Sequence, residues 1–304
     1  MRKSPIIFDQ SQPAAGIALI VVATALGLLW SPSEVTWWER GGMSALMGLG
    51  AWALNAALVY RSGYLQGGYV LGWLWVLSML TLLNSDLSWP LLFGAAIAVL
   101  WMARVFLATH WHLHDLTWVG IVSAMWLWWD PATAILIPMS WVLWPAMRAM
   151  RSRHALWLLI GQVIALGLTW SVDMAASMVT GEGVVDWMAL LDWWWEAPDW
   201  QIFNHWLIVP LLMMALFQTP RALTFAKKSK SKAIALSWAA IVMAWAGYSL
   251  GPGNEDVYMG IMAVAALPQV ANVQRYSLTP RWRSFLTPVW LLLLLVIRWW
   301  MTMS

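Results

Sequence analysis

The signs of the charges alternate from one break to the next along this chain. Arg148, Arg151 and Arg153 follow one apolar run, the next break carries Glu182, Asp186, Asp192, Glu196 and Asp199, and the one after it returns to Arg221, Lys227, Lys228, Lys230 and Lys232. Basic, then acidic, then basic is how a polytopic helical membrane protein records its topology, because Lys and Arg are retained on the cytoplasmic side. A chain folding in water has no reason to sort its charges in this way. The pattern therefore points to lipid as the solvent and to an all-α, polytopic transmembrane bundle.

Composition agrees. Hydrophobic residues make up 62% of the 304 positions and charged residues only 10%, well below the roughly one quarter that covers a soluble globule. The net charge of +3 sits in short loops where topology already accounts for it, which leaves no case for nucleic acid as a partner. Cysteine is absent, so disulfides and thiolate metal sites are excluded. Tryptophan is the anomaly, at 29 residues. Many of them fall near segment ends, as Trp37, Trp38, Trp128, Trp129, Trp193, Trp194, Trp195, Trp299 and Trp300 do. Indole rings favour the headgroup zone, where the ring is buried and the N–H stays wet; the other reading is an aromatic platform for a sugar or lipid.

A spanning helix needs about 20 apolar residues. Candidate spans are Ala14–Trp30, Met43–Tyr60, Gly67–Leu83, Trp89–Ala108, Leu116–Trp129, Ala132–Met147, Ala155–Val179, Ile202–Gln218, Ala233–Leu250, Val257–Asn272 and Phe285–Met301. Those at 116–129, 132–147 and 257–272 are short, so the count is about 9 to 11 and a re-entrant pair is an alternative for the first two. Arg2 and Lys3 hold the N-terminus in the cytoplasm. The outward breaks then carry Glu34, Glu39 and Arg40; Asp86; Asp130; the acidic segment 180–201; and Glu255 with Asp256. Of 17 Lys and Arg, only Arg40 and Arg298 fall outside, which gives N-in, C-out. The exit of the first run at Trp30-Ser31-Pro32 lacks a signal-peptidase pattern. The chain reads as one integral membrane domain, 1–304, with an acidic, Trp-rich interfacial segment at 180–201 and a basic cytoplasmic loop at 219–232. Prolines inside spans, such as Pro138, Pro145, Pro210 and Pro268, suggest kinks, and kinks suggest a cavity.

Few residues carry legible chemistry. Asp173 is the one acid well inside a span, where a carboxylate costs about 2.5–3.5 kcal/mol and must face a cavity, find a partner or take up a proton. Asn55 and Gln162 read as interhelical hydrogen-bond ties. Arg104, about one turn from the inner end of its span, either snorkels to the headgroups or contacts a lipid phosphate. His110, His112 and His114 do not share a helix face, and Trp111 stands where a zinc protease pattern needs Glu, so the run reads as an interfacial turn and no metal is expected. No Gly-rich phosphate loop and no second histidine at the depth of His205 is present, so no cofactor is expected. Asp186–Glu196 fits an amphipathic helix on the outer surface with Trp187, Leu190, Leu191 and Trp194 on one face. Its acids, with Asp192, Glu196 and Asp199, suit a substrate or partner better than anionic headgroups do.

Glu34 and Glu39 lie in the first outer loop beside Trp37 and Trp38. This layout is similar to that of the multispan, GT-C-type glycosyltransferases that use polyprenyl-phosphate sugars and place an acid in the first external loop to activate the acceptor hydroxyl. The chain lacks their paired Asp-Glu motif and the large external domain many of them carry. The resemblance implies Glu34 or Glu39 as base and a polyprenyl-phosphate-linked sugar as substrate; Asp173, as the acid inside a span, is a further candidate catalytic residue. The whole-chain layout also resembles a family of polytopic inner-membrane proteins of Bacteroidota without assigned activity. The resemblance rests on Ser4-Pro5, Arg104-Val105-Phe106, the break at Trp129-Asp130-Pro131, the basic Arg148–Arg153 turn and the Lys-rich loop before the last three spans. It implies a bacterial inner-membrane location and no functional residue. Three functions remain: glycosyl transfer at the outer face, a non-catalytic scaffold or accessory subunit binding other envelope proteins, and a transporter in which Asp173 couples a proton.

Overall fold

The computed structural model describes residues 13–29, 35–56, 70–81, 89–107, 113–146, 152–183 and 228–276, with isolated positions between and beyond them. Among the described residues every regular element is helical, so the chain is all-α. In chain order these are α1 (Pro13–Leu29), α2 (Trp37–Asn55), α3 (Val70–Thr81), α4 (Trp89–Leu107), α5 (Leu113–Ala124), a 3-10 helix (Pro131–Ile135), α6 (Leu136–Ala146), α7 (Ser152–Thr180), α8 (Lys228–Leu250) and α9 (Glu255–Tyr276). These nine α-helices overlap nine of the candidate spans; those at 202–218 and 285–301 lie almost wholly outside the described residues. One of the nine, α7, is long and apolar enough to cross a membrane, and the apolar stretches of α1, α4 and α8 are shorter.

The centre of the packing is α9. Residues 257–270 are buried on every side, as an apolar stretch without a polar face must be. It runs beside α4 and α8 and touches α3. Three helix pairs meet through glycines that let backbones touch. A Cβ on Gly94 would lie 2.8 Å from the Val257 Cα, one on Gly27 would lie 2.8 Å from the Ser44 Cα, and one on Gly120 would lie 3.1 Å from the Gly161 Cα. Close approach through small residues is the usual way helices associate where no water is available to be expelled.

These contacts fix directions. Near the starts of α4 and α9, Gly94 meets Val257, so the two helices begin at the same end. Phe93 and Trp126 bring the exit of α5 to that end, Gly42 against the Trp89 ring brings the start of α2, and Asn254 against Asp130 brings the α8–α9 turn. Charges therefore largely separate along the bundle. Glu39, with Arg40 beside it, Asp130, Glu255 and Asp256 stand at one end; Arg104 in the last turn of α4, Lys228, Lys230 and Lys232 opening α8, and Arg275 closing α9 stand at the other, where Asp115 in the first turn of α5 is the one described acid. The short pair α5 and α6 is also placed by this. Its connecting turn lies level with the ends of α4, α8 and α9, so the pair does not stop half-way through the bundle. The end of the 219–232 stretch is helical from Lys228 rather than loop.

On its inner side α7 packs against α5 through Leu158, Gly161 and Gln162, and the buried face continues along Ala165, Thr169 and Asp173. Its remaining surface is apolar and exposed, with Leu156, Val163, Leu168, Val172 and Met178 outward. Gln162 ties helices as its position suggests. Trp141 Nε1 donates to its Oε1 at 2.9 Å, and its Nε2 reaches Ser123 Oγ and the Ile137 carbonyl, each at 3.4 Å. Asn55 does not: it is wholly buried and neither amide atom is hydrogen-bonded.

Candidate functional site

Two local constructions hold Glu39, Asp130 and Asp173. The first is at the end where α2, α4, α5 and α9 gather. Helix α2 starts six residues before the apolar run, because Thr36-Trp37-Trp38-Glu39 is a capping box. Thr36 N–H and Oγ1 donate to Glu39 Oε2 at 2.9 and 2.8 Å, and Glu39 N–H donates back to Thr36 Oγ1 at 3.4 Å. These bonds stabilise the ionised form, so the Glu39 carboxyl is held below the usual glutamate range by the Thr36 N–H and then its hydroxyl. Trp37 and Trp38 stack beside it at 3.4 Å and are both exposed.

Further along this end, Trp126-Leu127-Trp128-Trp129 leaves α5 as a turn and Asp130 caps the 3-10 helix, with Pro131 at its first position, where a missing N–H costs nothing. Asp130 Oδ1 accepts the Ala132 N–H at 2.8 Å and the Asn254 N–H at 3.3 Å. The Asp130 carbonyl accepts Thr133 N–H at 3.1 Å and Thr133 Oγ1 at 2.8 Å. The α8–α9 turn that supplies Asn254 needs Gly253, whose φ of +93° disfavours a side chain and whose missing Cβ leaves room for Asp130 and Ala132. Tyr258 Oη donates to the Pro252 carbonyl at 2.7 Å and closes the same turn from inside. Burial pushes the Asp130 carboxyl up, opposed by the two N–H bonds.

An aromatic cluster lies against this turn. The Phe93 ring meets Trp126 edge-on at 5.5 Å and Trp129 at 4.8 Å, Trp89 lies 6.1 Å from Trp129, and Trp128 stands at 88° to Trp129 at 5.5 Å. Sequence reading took Asp130 as an outward break and, in an enzyme, as an acid within reach of Glu34 or Glu39, and did not foresee its capping role. The signal available was Trp-Asp-Pro, an N-cap acid followed by a first-position proline.

The second construction surrounds Asp173. Helix α7 ends in a left-handed cap, Gly181 at φ +80°, whose N–H donates to the Ser177 carbonyl at 2.9 Å. The chain then turns back along the helix. Val185 N–H donates to Asp173 Oδ1 at 2.9 Å and Trp187 Nε1 to Oδ2 at 2.8 Å. A carboxylate 7% exposed thus has a donor on each oxygen, which offsets its desolvation. Trp187 is thereby turned toward α7.

Glu39 and Asp173 therefore belong to different helices and each is bound to its own neighbourhood. Glu34, Asp186, Asp192, Trp194, Glu196, Asp199, His110 and His112 lie outside the described residues, as does the side chain of Arg104, whose backbone is in the last turn of α4. Among the described residues, no three His, Asp or Glu gather as a metal site. A depression between α4, α6 and α8, lined by Trp101, Met139, Val142, Leu236 and Met243, has no room for a water molecule. No protein-family model, curated protein or solved structure matches this chain.

Proposed function

We propose that this chain is a multi-pass protein of the bacterial inner membrane, with 9–11 spans, N-terminus inside and C-terminus outside, acting as a non-catalytic scaffold or accessory subunit of an envelope complex. Support for the membrane comes from the exposed apolar side of α7, which in water would be a patch of the kind soluble monomers avoid, and from the separation of acidic and basic helix ends. The observation that carries the scaffold reading is the use of Glu39 and Asp173. Both acids are taken up by the chain's own donors, one as a helix cap and one as an anchor for residues 185–187. The buried stretch 257–270 of α9 adds a packed centre suited to holding surfaces in place.

The test is complementation of a deletion strain with Glu34→Gln, Glu39→Gln and Asp173→Asn. A scaffold predicts that Glu34→Gln and Glu39→Gln, at wild-type protein levels, restore envelope integrity fully. Loss of function in Glu34→Gln with the protein still folded in the membrane would overturn it. One observation favours the second reading, glycosyl transfer to or from a lipid-linked sugar. The stacked, exposed Trp37–Trp38 pair stands in the first turn of α2, three residues after Glu34 in sequence.

A further inference from the structure

We propose that Trp128, Trp129 and Asp130 form a shelf that binds a neutral pyranose ring. Trp128 and Trp129 are 38% and 43% exposed and stand at 88° to one another, a floor and a wall. Trp129 is held from behind by Phe93 at 4.8 Å and Trp89 at 6.1 Å. An indole already fixed by its neighbours loses little freedom when a ligand lands on it, and its flat face suits the C–H side of a sugar ring.

The third element is the carboxylate. Asp130 Oδ1 is occupied by the N–H groups of Ala132 and Asn254, which fix the plane of the group. Among the described residues no donor reaches Oδ2, and Asp130 is only partly buried, which leaves this oxygen for ring hydroxyls. Hydroxyl-to-carboxylate bonds are charge-assisted and stronger than neutral ones. A clamped acceptor beside two ring faces is what a polyhydroxylated ring with one apolar face requires.

The bland alternative is that these indoles only anchor the bundle in the headgroup layer. With anchoring, capping accounts for Asp130 Oδ1 but leaves Oδ2 unused, and a carboxylate repels the anionic lipids such a belt meets. Charge therefore favours a neutral sugar over a lipid phosphate. The inference does not rest on the scaffold reading, since a scaffold and a transferase could both hold a sugar here.

The experiment is saturation-transfer NMR on the full chain in phosphatidylcholine nanodiscs, kept free of glycoside detergents, with methyl β-D-glucopyranoside and tri-N-acetylchitotriose as probes. The shelf predicts transfer concentrated on the hydrogens of one ring face, reduced at least about fivefold in Trp128→Ala and Trp129→Ala, the loss of about 1 kcal/mol of stacking. Asp130→Asn retains an oxygen for capping and should weaken binding while leaving the helical content unchanged. A second arm adds glucose carried on undecaprenyl phosphate to the nanodisc. Displacement of the soluble probe assigns the ring to a lipid-linked saccharide, and retention of the probe assigns it to a soluble glycan; both support the shelf. Absence of transfer to either probe, or transfer unchanged in the tryptophan variants, overturns the proposal and leaves the rings as headgroup anchors.

Discussion

The N–H of Asn254 donates to Asp130 Oδ1 at 3.3 Å, joining positions 124 residues apart in sequence. One carboxylate thus fastens the turn between α5 and α6 to the turn between α8 and α9. It is also the cap of the 3-10 helix and the neighbour of the Trp128–Trp129 corner, so changes at this residue should be felt in several places.

Replacing Asp130 by Ala should lower stability by about 1–2 kcal/mol, through loss of a cap and of an acceptor for two N–H groups. Asn, which keeps one oxygen, should cost less. The pH dependence has a definite sign. Burial raises the folded-state carboxyl above 3.8, so the folded chain holds this proton more tightly than the unfolded one, and through this group stability increases as pH falls across that interval. Thermal unfolding in detergent, followed as pH is raised from 3.8, should show that slope reduced in Asp130→Asn.

Glu39 should behave in the opposite sense. Its folded-state carboxyl is held below 4.5 by Thr36, so the stability it supplies is present above that value and lost as pH falls through the folded pKa. Glu39→Gln caps in the same manner and should remove the acid-side loss while leaving neutral-pH function intact. Thr36→Ala should cost about 1 kcal/mol. Circular dichroism melts of the three proteins at neutral and acid pH make the comparison.

At the α5–α7 crossing, Gly161→Ala should destabilise by about 1–3 kcal/mol, since its Cβ would press on the Thr117 carbonyl, its carbon at 3.0 Å. Six residues on, Gly167 faces open space, and Ala there should be neutral or gain about 0.5–1 kcal/mol from helix propensity. Size-exclusion profiles after graded heating would rank the two, and equal sensitivity would argue against this crossing.

Asp173→Asn should release the chain after α7. Val185 N–H and Trp187 Nε1 are donors to opposite oxygens, so an amide leaves one of them facing an NH2 group, at a cost of about 1–3 kcal/mol. Hydrogen exchange at the Val185 amide should accelerate, while exchange within the middle of α7 remains slow.

Much of the helical layout was legible in the sequence because apolar runs and helices have a common cause. The candidate span Trp89–Ala108 and the helix Trp89–Leu107 nearly coincide, as do Ala155–Val179 and Ser152–Thr180. Boundaries shifted where polar residues build helix ends. Met43 was the first apolar position, but the cap at Thr36 starts α2 earlier, and lysines that read as loop open α8. Site geometry was less legible. An acid in an apolar span does not reveal whether its partner is a substrate or a backbone N–H twelve residues away, as for Asp173 and Val185. Nor could spacing show that Asp130 and Asn254 meet, because tertiary packing alone brings those turns together.

The central claim is that acidic and basic helix ends lie on opposite sides of a membrane. The chain contains no cysteine, so single cysteines at Glu182, Glu255 and Ser152, all exposed, report directly in intact cells treated with a membrane-impermeant maleimide. The account predicts that positions 182 and 255 are labelled from outside and position 152 only after permeabilisation. Labelling of 152 from outside, or of 182 and 255 from opposite sides, would contradict it.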